Sequence, residues 1–497
     1  MLLSRRMGAH FLAFDLGAES GRAISGHLRS GRLELSEVCR FPNEPVRVDG
    51  SLYWDVPRLW LQMQRALEQL GRAGTRLDSI GVDAWGCDYG LIGETGDLLA
   101  NPYHYRDSRT DGVMEDVFAR VPRARIYDIT GIQFLTFNTL YQLIATARAT
   151  PRLLDAATQL GTIPDILNYW LTGDLRAEFT SATTTQMVNA RRREWAFDLL
   201  RELELPTRLL PPLIEPGSVL GPLQPSVCAA LAGTPVVVPA CHDTGSAVAA
   251  VPAGGGRAFV SSGTWSLVGT EVPRPIITPR ALDANFTNEG GVCGTTRLLK
   301  NIGGLWLLQA CRREWARDGR QYEYAELMEA AVEDKLAFAS LFDPDDPAFL
   351  HPSSMSRAIA DYCRRTAQPE PDGPAAFTRA ILESLAFKYR VVLDTLEELT
   401  GMKITEVQIV GGGSRNRVLN QFTADATGRT VLSGPIEATA LGNIAMQMLA
   451  TGAVGSLADA RGIIERSFPA ERFEPAAADR WTAQYRRFQE YVELTCV

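Results

Sequence analysis

Apolar positions along the chain fall into short continuous runs and longer repeats of helical period, and the two kinds alternate. Residues 10–16 form an apolar run, followed by a Gly/Ser-rich stretch and then residues 22–28, which predicts strand, turn, strand. Residues 59–70 carry the helical repeat. Residues 77–84 are again apolar and end at Trp85-Gly86, and residues 89–92 lead into the turn signal Glu94-Thr95-Gly96-Asp97. Residues 235–239 are apolar throughout, as in a buried strand, and residues 243–251 after them read as a helix. Residues 252–256 are small and Gly-rich, the composition of a hinge. Beyond them the opening pattern returns: residues 258–260, the turn Ser261-Ser262-Gly263-Thr264, and residues 265–269. Residues 404–410 predict a strand running into Gly411-Gly412-Gly413-Ser414, while residues 375–399, 417–426 and 438–449 are helical in period. Mixed strands and helices in both halves predict an α/β fold. A chain of 497 residues exceeds what one core serves, so two domains are expected, residues 1–251 and 252–497. From about residue 467 onward no motif is legible, and a surface helix is expected there.

Composition narrows the function classes. Lys plus Arg is 50 against 58 for Asp plus Glu, a net charge of −8, which disfavours a non-specific nucleic-acid binder. Hydrophobic residues at 45% and charged residues at 22% exclude a disordered or collagen-like chain. The eight cysteines are scattered without CxxC or zinc-ribbon spacing, the pattern of free thiols in a cytosolic protein. The first ten residues lack the long apolar region of a signal peptide, and no stretch reaches 18 apolar residues, so a soluble cytoplasmic chain is expected. There is no GxGxxG, HExxH or GxSxG, and none of the four lysines, Lys300, Lys335, Lys388 and Lys403, completes a GxxxxGK[ST] loop.

Three Gly-rich turns remain, each directly after a strand: residues 17–22, 262–266 and 411–416. Such turns expose backbone N–H groups and hydroxyls that can surround phosphate oxygens, and glycine permits close approach. The third also opens a helix, whose N-terminus favours anions. Singly, each fits a plain hairpin or helix start. Two hairpins at matching places in the two halves, joined by a triple-glycine turn, point to a nucleotide held between domains. Asp15 lies within an apolar run, where a carboxylate needs a partner. A metal ion beside phosphates would supply one, and so would hydrogen bonds to its own turn. Asp243 follows His242 at the end of a buried strand. It fits an N-cap and equally a general base for a hydroxyl attacking a γ-phosphate. Cys87 and Cys241 flank these positions and read as packing residues.

The segments Phe14-Asp15-Leu16-Gly17 with Ser20-Gly21-Arg22, Gly81 to Asp88, Tyr105-Arg106-Asp107-Ser108-Arg109-Thr110, and Gly131-Ile132-Gln133-Phe134-Leu135 occur in that order. They are followed by Ala182 to Gln186, His242-Asp243-Thr244, Ser261 to Leu267, Thr287 to Gly291, Lys300 to Gln309, Val410 to Ser414 and Glu437 to Asn443. Together they resemble the FGGY sugar kinases of the actin/hexokinase/Hsp70-like ATPase superfamily, and most of all the members acting on L-rhamnulose. The resemblance implies two ribonuclease-H-like domains around a cleft, and ATP-dependent phosphorylation of L-rhamnulose at its 1-hydroxyl in L-rhamnose degradation. It makes Asp243 the base, with Gly86, His242, Trp85 and Asp88 at the sugar. Ala18, Glu19, Ser20, Gly21 and Arg22 would wrap the phosphates, and Thr264, Asn301, Gln309 and Gly412 would complete the nucleotide site. Asp15 would help hold Mg²⁺ through water. Glu19 and Gly21 depart from the small hydroxyl residues of the family. Other ketoses, L-fuculose or L-xylulose, and a non-catalytic nucleotide sensor are the alternatives. The expected partners are the sugar and ATP, without nucleic acid or membrane, in a monomer or homodimer.

Overall fold

The computed structural model describes residues 8–252, 256–333, 337–350 and 352–495. Residues 253–255, the centre of the expected hinge, lie outside the described residues. The chain forms two compact units. The first comprises Met1–Ala253, Glu271–Leu298 and Ala438–Pro469, and the second Gly254–Thr270, Leu299–Glu437 and Ala470–Val497. A single cut between residues 251 and 252 therefore follows chain order, whereas the packing units are discontinuous.

The first unit is built on a six-stranded sheet in the order Ser218–Pro222, Pro235–Val238, Ser79–Ala84, Ala9–Leu16, Ser20–Arg29, Arg32–Pro42. Ala9–Leu16, Ser20–Arg29 and Arg32–Pro42 are an antiparallel meander. Ser79–Ala84 and Pro235–Val238 add in parallel, and Ser218–Pro222 closes the edge antiparallel. The central strands are buried on both faces, which is why they read as continuous apolar runs. Helix Val56–Arg72 turns Leu59, Met63, Ala66, Leu67 and Leu70 into the core, and its first turn is capped by Asp55, which accepts from the Arg58 N–H at 3.2 Å.

Helix Ala438–Ala450 belongs to this unit because of how closely it seats. A Cβ on Gly442 would lie 1.7 Å from the Ser246 carbonyl oxygen of helix Asp243–Ala249, so only glycine allows the two backbones to cross. One turn apart, Asn443 and Gln447 reach the sheet, where Gly81 leaves them room: a Cβ there would be 2.3 Å from Asn443 Oδ1. Gln447 accepts from Ser79 Oγ at 2.7 Å and donates to the Leu12 carbonyl at 3.0 Å.

The second sheet has seven strands, and six of them repeat the strand order of the first: Thr296–Gly303, Trp265–Val272, Arg257–Ser262, Glu406–Val410, Thr430–Ser433 and Glu471–Phe473 lie side by side. Arg257–Ser262 pairs antiparallel with Trp265–Val272 and parallel with Glu406–Val410, which pairs parallel with Thr430–Ser433. Glu471–Phe473 closes that edge antiparallel. The fold is thus two ribonuclease-H-like α/β units. The stretch after residue 467, expected as a surface helix, holds a strand and then a helix whose inner face is packed. Its strand completes the sheet, and helix Ala478–Thr495 buries Trp481 and Phe488, packed on Phe387 with ring centroids 4.9 and 5.3 Å away. A long polar face hid this seam in the sequence.

Candidate active site

In the first unit the opening hairpin brings charge to its mouth. Asp15 and Arg22 are register partners across the two strands and form an ion pair. The turn is closed by the Gly17 N–H donating to the Ser20 carbonyl at 3.0 Å, and Asn43 braces it by donating from Nδ2 to the Gly17 carbonyl at 2.8 Å. Glu19 stands exposed at the tip. Gly21 is compulsory for packing: a Cβ would lie 2.2 Å from the Phe41 ring and 2.9 Å from Leu16. The hydroxyl expected at that position has no room, which explains the departure.

Asp83 lies opposite Asp15 on the parallel neighbour strand and has no solvent exposure. Burial raises its carboxyl well above the ordinary carboxylate range, Asp15 and Asp243 raise it further, and the Asn443 amide and Arg22 pull it back. Asn443 Nδ2 donates to Asp83 Oδ2 at 2.6 Å, and Oδ1 has no hydrogen-bond partner among the described residues. Asp83 sits inside an apolar run, and only the register with Asp15 gives it meaning, so sequence reasoning assigned it no role.

Asp243 opens helix Asp243–Ala249, with His242 as the residue before it. The carboxylate is partly exposed, at 29%, while His242 beside it is buried at 7%. Gly86 packs on this pair, since a Cβ there would meet His242 Nε2 at 3.3 Å and Thr184 Oγ1 at 3.1 Å. The backbone under His242 is clamped: its N–H donates to Thr180 Oγ1 at 3.2 Å, and that hydroxyl donates to buried Glu178 at 2.6 Å. Glu178 also accepts from the Cys241 N–H at 2.9 Å. Burial pushes the Glu178 and Asp165 carboxyls up to about 7.

Two expected sugar neighbours, Asp88 and Trp85, are tied to each other. Asp88 is fully buried and spends both oxygens on protein donors, Gln142 Nε2 at 2.8 Å on one, Trp54 Nε1 at 2.5 Å and Trp85 Nε1 at 2.9 Å on the other. Burial pushes it up to about 6, against the pull of those donors. Through those bonds it fixes the Trp85 ring. Trp85, 5% exposed, packs on Trp54 at a centroid distance of 4.2 Å. Cys241 is buried and Cys87 partly buried, and both thiols are raised well above their ordinary range, first by desolvation and then by neighbouring carboxylates. Glu289 and Arg297, far along the chain, flank His242 from its other side. Glu289 lay in a recognised segment, yet nothing in that segment pointed to His242.

The second unit carries its own hairpin, without charges at the turn. Gly263 and Thr264 accept from the Leu305 and Trp306 N–H groups at 3.0 and 3.1 Å. Gly304 abuts this turn, 2.7 Å from the Thr264 carbonyl to a would-be Cβ. Gly413 lies against Ser262, where a Cβ would fall 2.0 Å from Oγ. Gly412 between its neighbours faces open space and is exposed. The triple glycine forms a 3₁₀ turn, Gly412–Arg415, before helix Arg417–Thr427, which Asn416 caps by accepting from the Leu419 N–H at 2.9 Å. Asn301 lies in strand Thr296–Gly303 and Gln309 in the first turn of helix Trp306–Arg317. Gln309 Oε1 is buried without a hydrogen-bond partner among the described residues, a spare acceptor.

The donor set near Asp15 suits a hard divalent cation. Asp15 and Asp83 are register partners with Arg22 as the nearby cation, and one buried Asp83 oxygen is unsatisfied. Oxygen ligands without thiolate or imidazole favour Mg²⁺ over softer metals. Among the described residues no three His, Cys, Asp or Glu side chains converge as a complete metal cage. Mg²⁺ keeps several waters and needs few carboxylates, so it fits this set.

Comparison with known proteins gives a consistent picture. Residues 10–250 match the N-terminal domain of the FGGY family of carbohydrate kinases and residues 258–451 its C-terminal domain. The chain is 43% identical over 489 residues to a rhamnulokinase of Bacteroides thetaiotaomicron, covering 98% of this chain and 100% of that one. It is 45% identical over 485 residues to a rhamnulokinase of Pectobacterium carotovorum subsp. carotovorum, covering 97% and 96%. Among solved structures, a ligand-bound xylulose kinase from Lactobacillus acidophilus superposes with a TM-score of 0.82 at 16% identity, covering 98% and 99%. A Plasmodium falciparum glycerol kinase with ADP does so with a TM-score of 0.78 at 15% identity, covering 99% of each chain. No helix among the described residues is long and apolar enough to cross a membrane.

Proposed function

The chain belongs to the FGGY family of carbohydrate kinases, and from that premise we propose that it transfers the γ-phosphoryl group of ATP to the 1-hydroxyl of L-rhamnulose. The observation that carries this reading is a partly exposed Asp243 beside buried His242 and Gly86, in a chain 43% identical to a rhamnulokinase along its whole length.

Asp243 is the general base. Its carboxylate takes the proton of the 1-hydroxyl as that oxygen bonds to the γ-phosphorus; the bond from phosphorus to the bridging oxygen breaks, and ADP leaves with the electron pair. His242 and Gly86 shape the sugar's end of the site, and Trp85, held by Asp88, forms its wall. Backbone N–H groups of residues 18–22 and Arg22 meet phosphate oxygens. Thr264, Asn301 and Gly412 bind the nucleotide from the second unit, and the free acceptor of Gln309 suits the adenine amino group. Asp15 would hold Mg²⁺, with Asp83 behind it, and the cation would supply neutralisation of phosphate charge. Exposed Glu19 points away from the phosphates.

An ADP-release assay over a panel of ketoses with ATP and Mg²⁺ tests the reading. L-rhamnulose should show the highest kcat/KM, above L-fuculose and L-xylulose. Asp243→Asn should lose about 10³-fold or more in kcat with the fold intact. A variant as fast as wild type removes Asp243 from the mechanism.

A further inference from the structure

His242 is held from both sides. Nε2 faces Asp243 Oδ1 at 3.4 Å. Nδ1 lies 3.2 Å from Arg297 Nη2 and 3.3 Å from Glu289 Oε2. The two Nδ1 neighbours ask for opposite things. Glu289 can only accept a proton, whereas the Arg297 guanidinium can only donate one. Arg297 has the hydrogen-bond geometry; Glu289 is an ion-pair neighbour of the ring and of Arg297 Nη1, at 3.2 Å.

We infer that Arg297 is a positioning residue for the phosphoryl transfer: by donating to Nδ1 it fixes His242 as the neutral tautomer protonated on Nε2. This rests on Asp243 being the base. Arg297 is wholly buried and itself fixed, with Nε donating to the Gly290 carbonyl at 2.8 Å. A guanidinium does not release its proton, so an Nδ1 facing it must present a lone pair. The ring proton then sits on Nε2, the nitrogen 3.4 Å from Asp243 Oδ1. The other tautomer would set a nitrogen lone pair against carboxylate oxygen, which repels. Nε2–H thus places the positive end of a fixed dipole beside the carboxylate that takes the sugar proton. Glu289 balances the buried charge of Arg297, which is costly when unpaired.

The ring nitrogens of the intact wild-type protein can be read by ¹⁵N–¹H correlation. Five histidines contribute, and His242 is assigned by the signal lost in His242→Gln. The expected result is an unprotonated, pyridine-type Nδ1 with a protonated Nε2. A protonated Nδ1, or protons on both nitrogens, overturns the inference. Arg297→Lys keeps a donor and should keep the tautomer. Arg297→Met should release Nδ1–H toward Glu289, and its kcat/KM for L-rhamnulose should fall about tenfold or more, as misprotonated orienting pairs do, with KM for ATP within about twofold. An unchanged tautomer in folded Arg297→Met also overturns it. Should Arg297→Met not fold, the wild-type and Arg297→Lys spectra decide alone. The spectra need no substrate, so a wild type inactive on L-rhamnulose defeats the proposed function while leaving the tautomer to stand or fall separately.

Discussion

Both units begin with the same backbone device, a strand, a tight Gly-containing turn and an antiparallel return strand, yet the two hairpins are chemically opposite. The first closes with Asp15 opposite Arg22, and a second buried carboxylate, Asp83, lies on the adjacent strand. The second closes with Ser262 opposite Ser266, whose hydroxyl is tied to Tyr389 at 2.7 Å, and its turn is packed by Gly304 and Gly413. Under the proposed function, charge at the first hairpin serves a reaction in which phosphate charge changes, and neutral backbone and glycine at the second serve a ligand held in one state. Substitutions should then divide the same way: the first hairpin should govern turnover and the second the affinity for nucleotide.

The largest expected effect is at Asp15. Asp15→Asn keeps the shape and removes the charge that pairs with Arg22 and presses on Asp83. We expect kcat to fall by about 10²–10³, the usual cost of one preorganised electrostatic group, with a raised Mg²⁺ requirement in the same assay. A change confined to the KM for ATP would erase the distinction between the hairpins.

Next come the two neighbouring glycines of the second unit, which separate folding from binding. Gly413→Ala drives a methyl into Ser262, and overpacking of this kind costs about 1–3 kcal/mol, read by denaturant unfolding. Gly412→Val meets open space. Its stability should match wild type within about 0.5 kcal/mol, while KM for ATP rises by about tenfold, and kcat at saturating ATP changes little. If Gly412→Val binds ATP normally, the triple glycine is a packing device only.

A smaller effect, in stability, follows from Asp83. Its carboxyl is raised in the folded chain from an ordinary value of 3.8, so the native state keeps a proton that the unfolded chain has already lost. Stability therefore falls as pH rises above about 3.8 and levels off above the raised value, with a slope of at most about 1.4 kcal/mol per pH unit. Asp83→Asn should flatten that slope in urea titrations between pH 5 and pH 8. Asp165 and Glu178, raised to about 7 by burial, tilt the curve the same way and leave a residual slope. The second hairpin contributes none there, because the buried phenol of Tyr389 is pushed up to about 12. An unflattened Asp83→Asn curve would mean that Asp83 is ionised in the native state.

Periodicity made most elements legible. The helix expected at residues 417–426 is Arg417–Thr427 and that at 438–449 is Ala438–Ala450, because burial of one face or of both leaves a local trace in composition. Asp15, Gly86, His242 and Asp243 could be named as candidates because each lies in a short segment with a motif around it, and the last three lie together in the fold. What stayed hidden depends on register and on distance along the chain. Asp83 matters through its partner Asp15, 68 residues earlier, and Arg297 through His242, 55 residues earlier. Asp88 was expected near the sugar from the resemblance alone, and its three side-chain donors, which brace Trp85, come from residues no local pattern links to it. The return of residues 438–469 to the first unit hangs on a glycine contact that no local pattern announces.

The smallest effect sharpens the comparison within the first hairpin itself. Glu19 is four residues from Asp15 and carries the same charge, but it stands exposed at the tip of the turn, where its backbone carbonyl accepts from the Asn43 N–H at 3.0 Å. Water and salt screen such a side chain, so its repulsion of ATP is weak and depends on ionic strength. Glu19→Gln should leave the melting temperature and kcat unchanged. KM for ATP should fall by no more than about twofold in dilute buffer, and the difference should vanish in about 1 M salt, where the screening length is about 3 Å. A loss of kcat comparable to that of Asp15→Asn would instead place the Glu19 carboxylate at the phosphates. Charge at the first hairpin would then act from the turn as well as from the strands, and the contrast with the neutral turn of the second unit would be deeper than the ion pair alone implies.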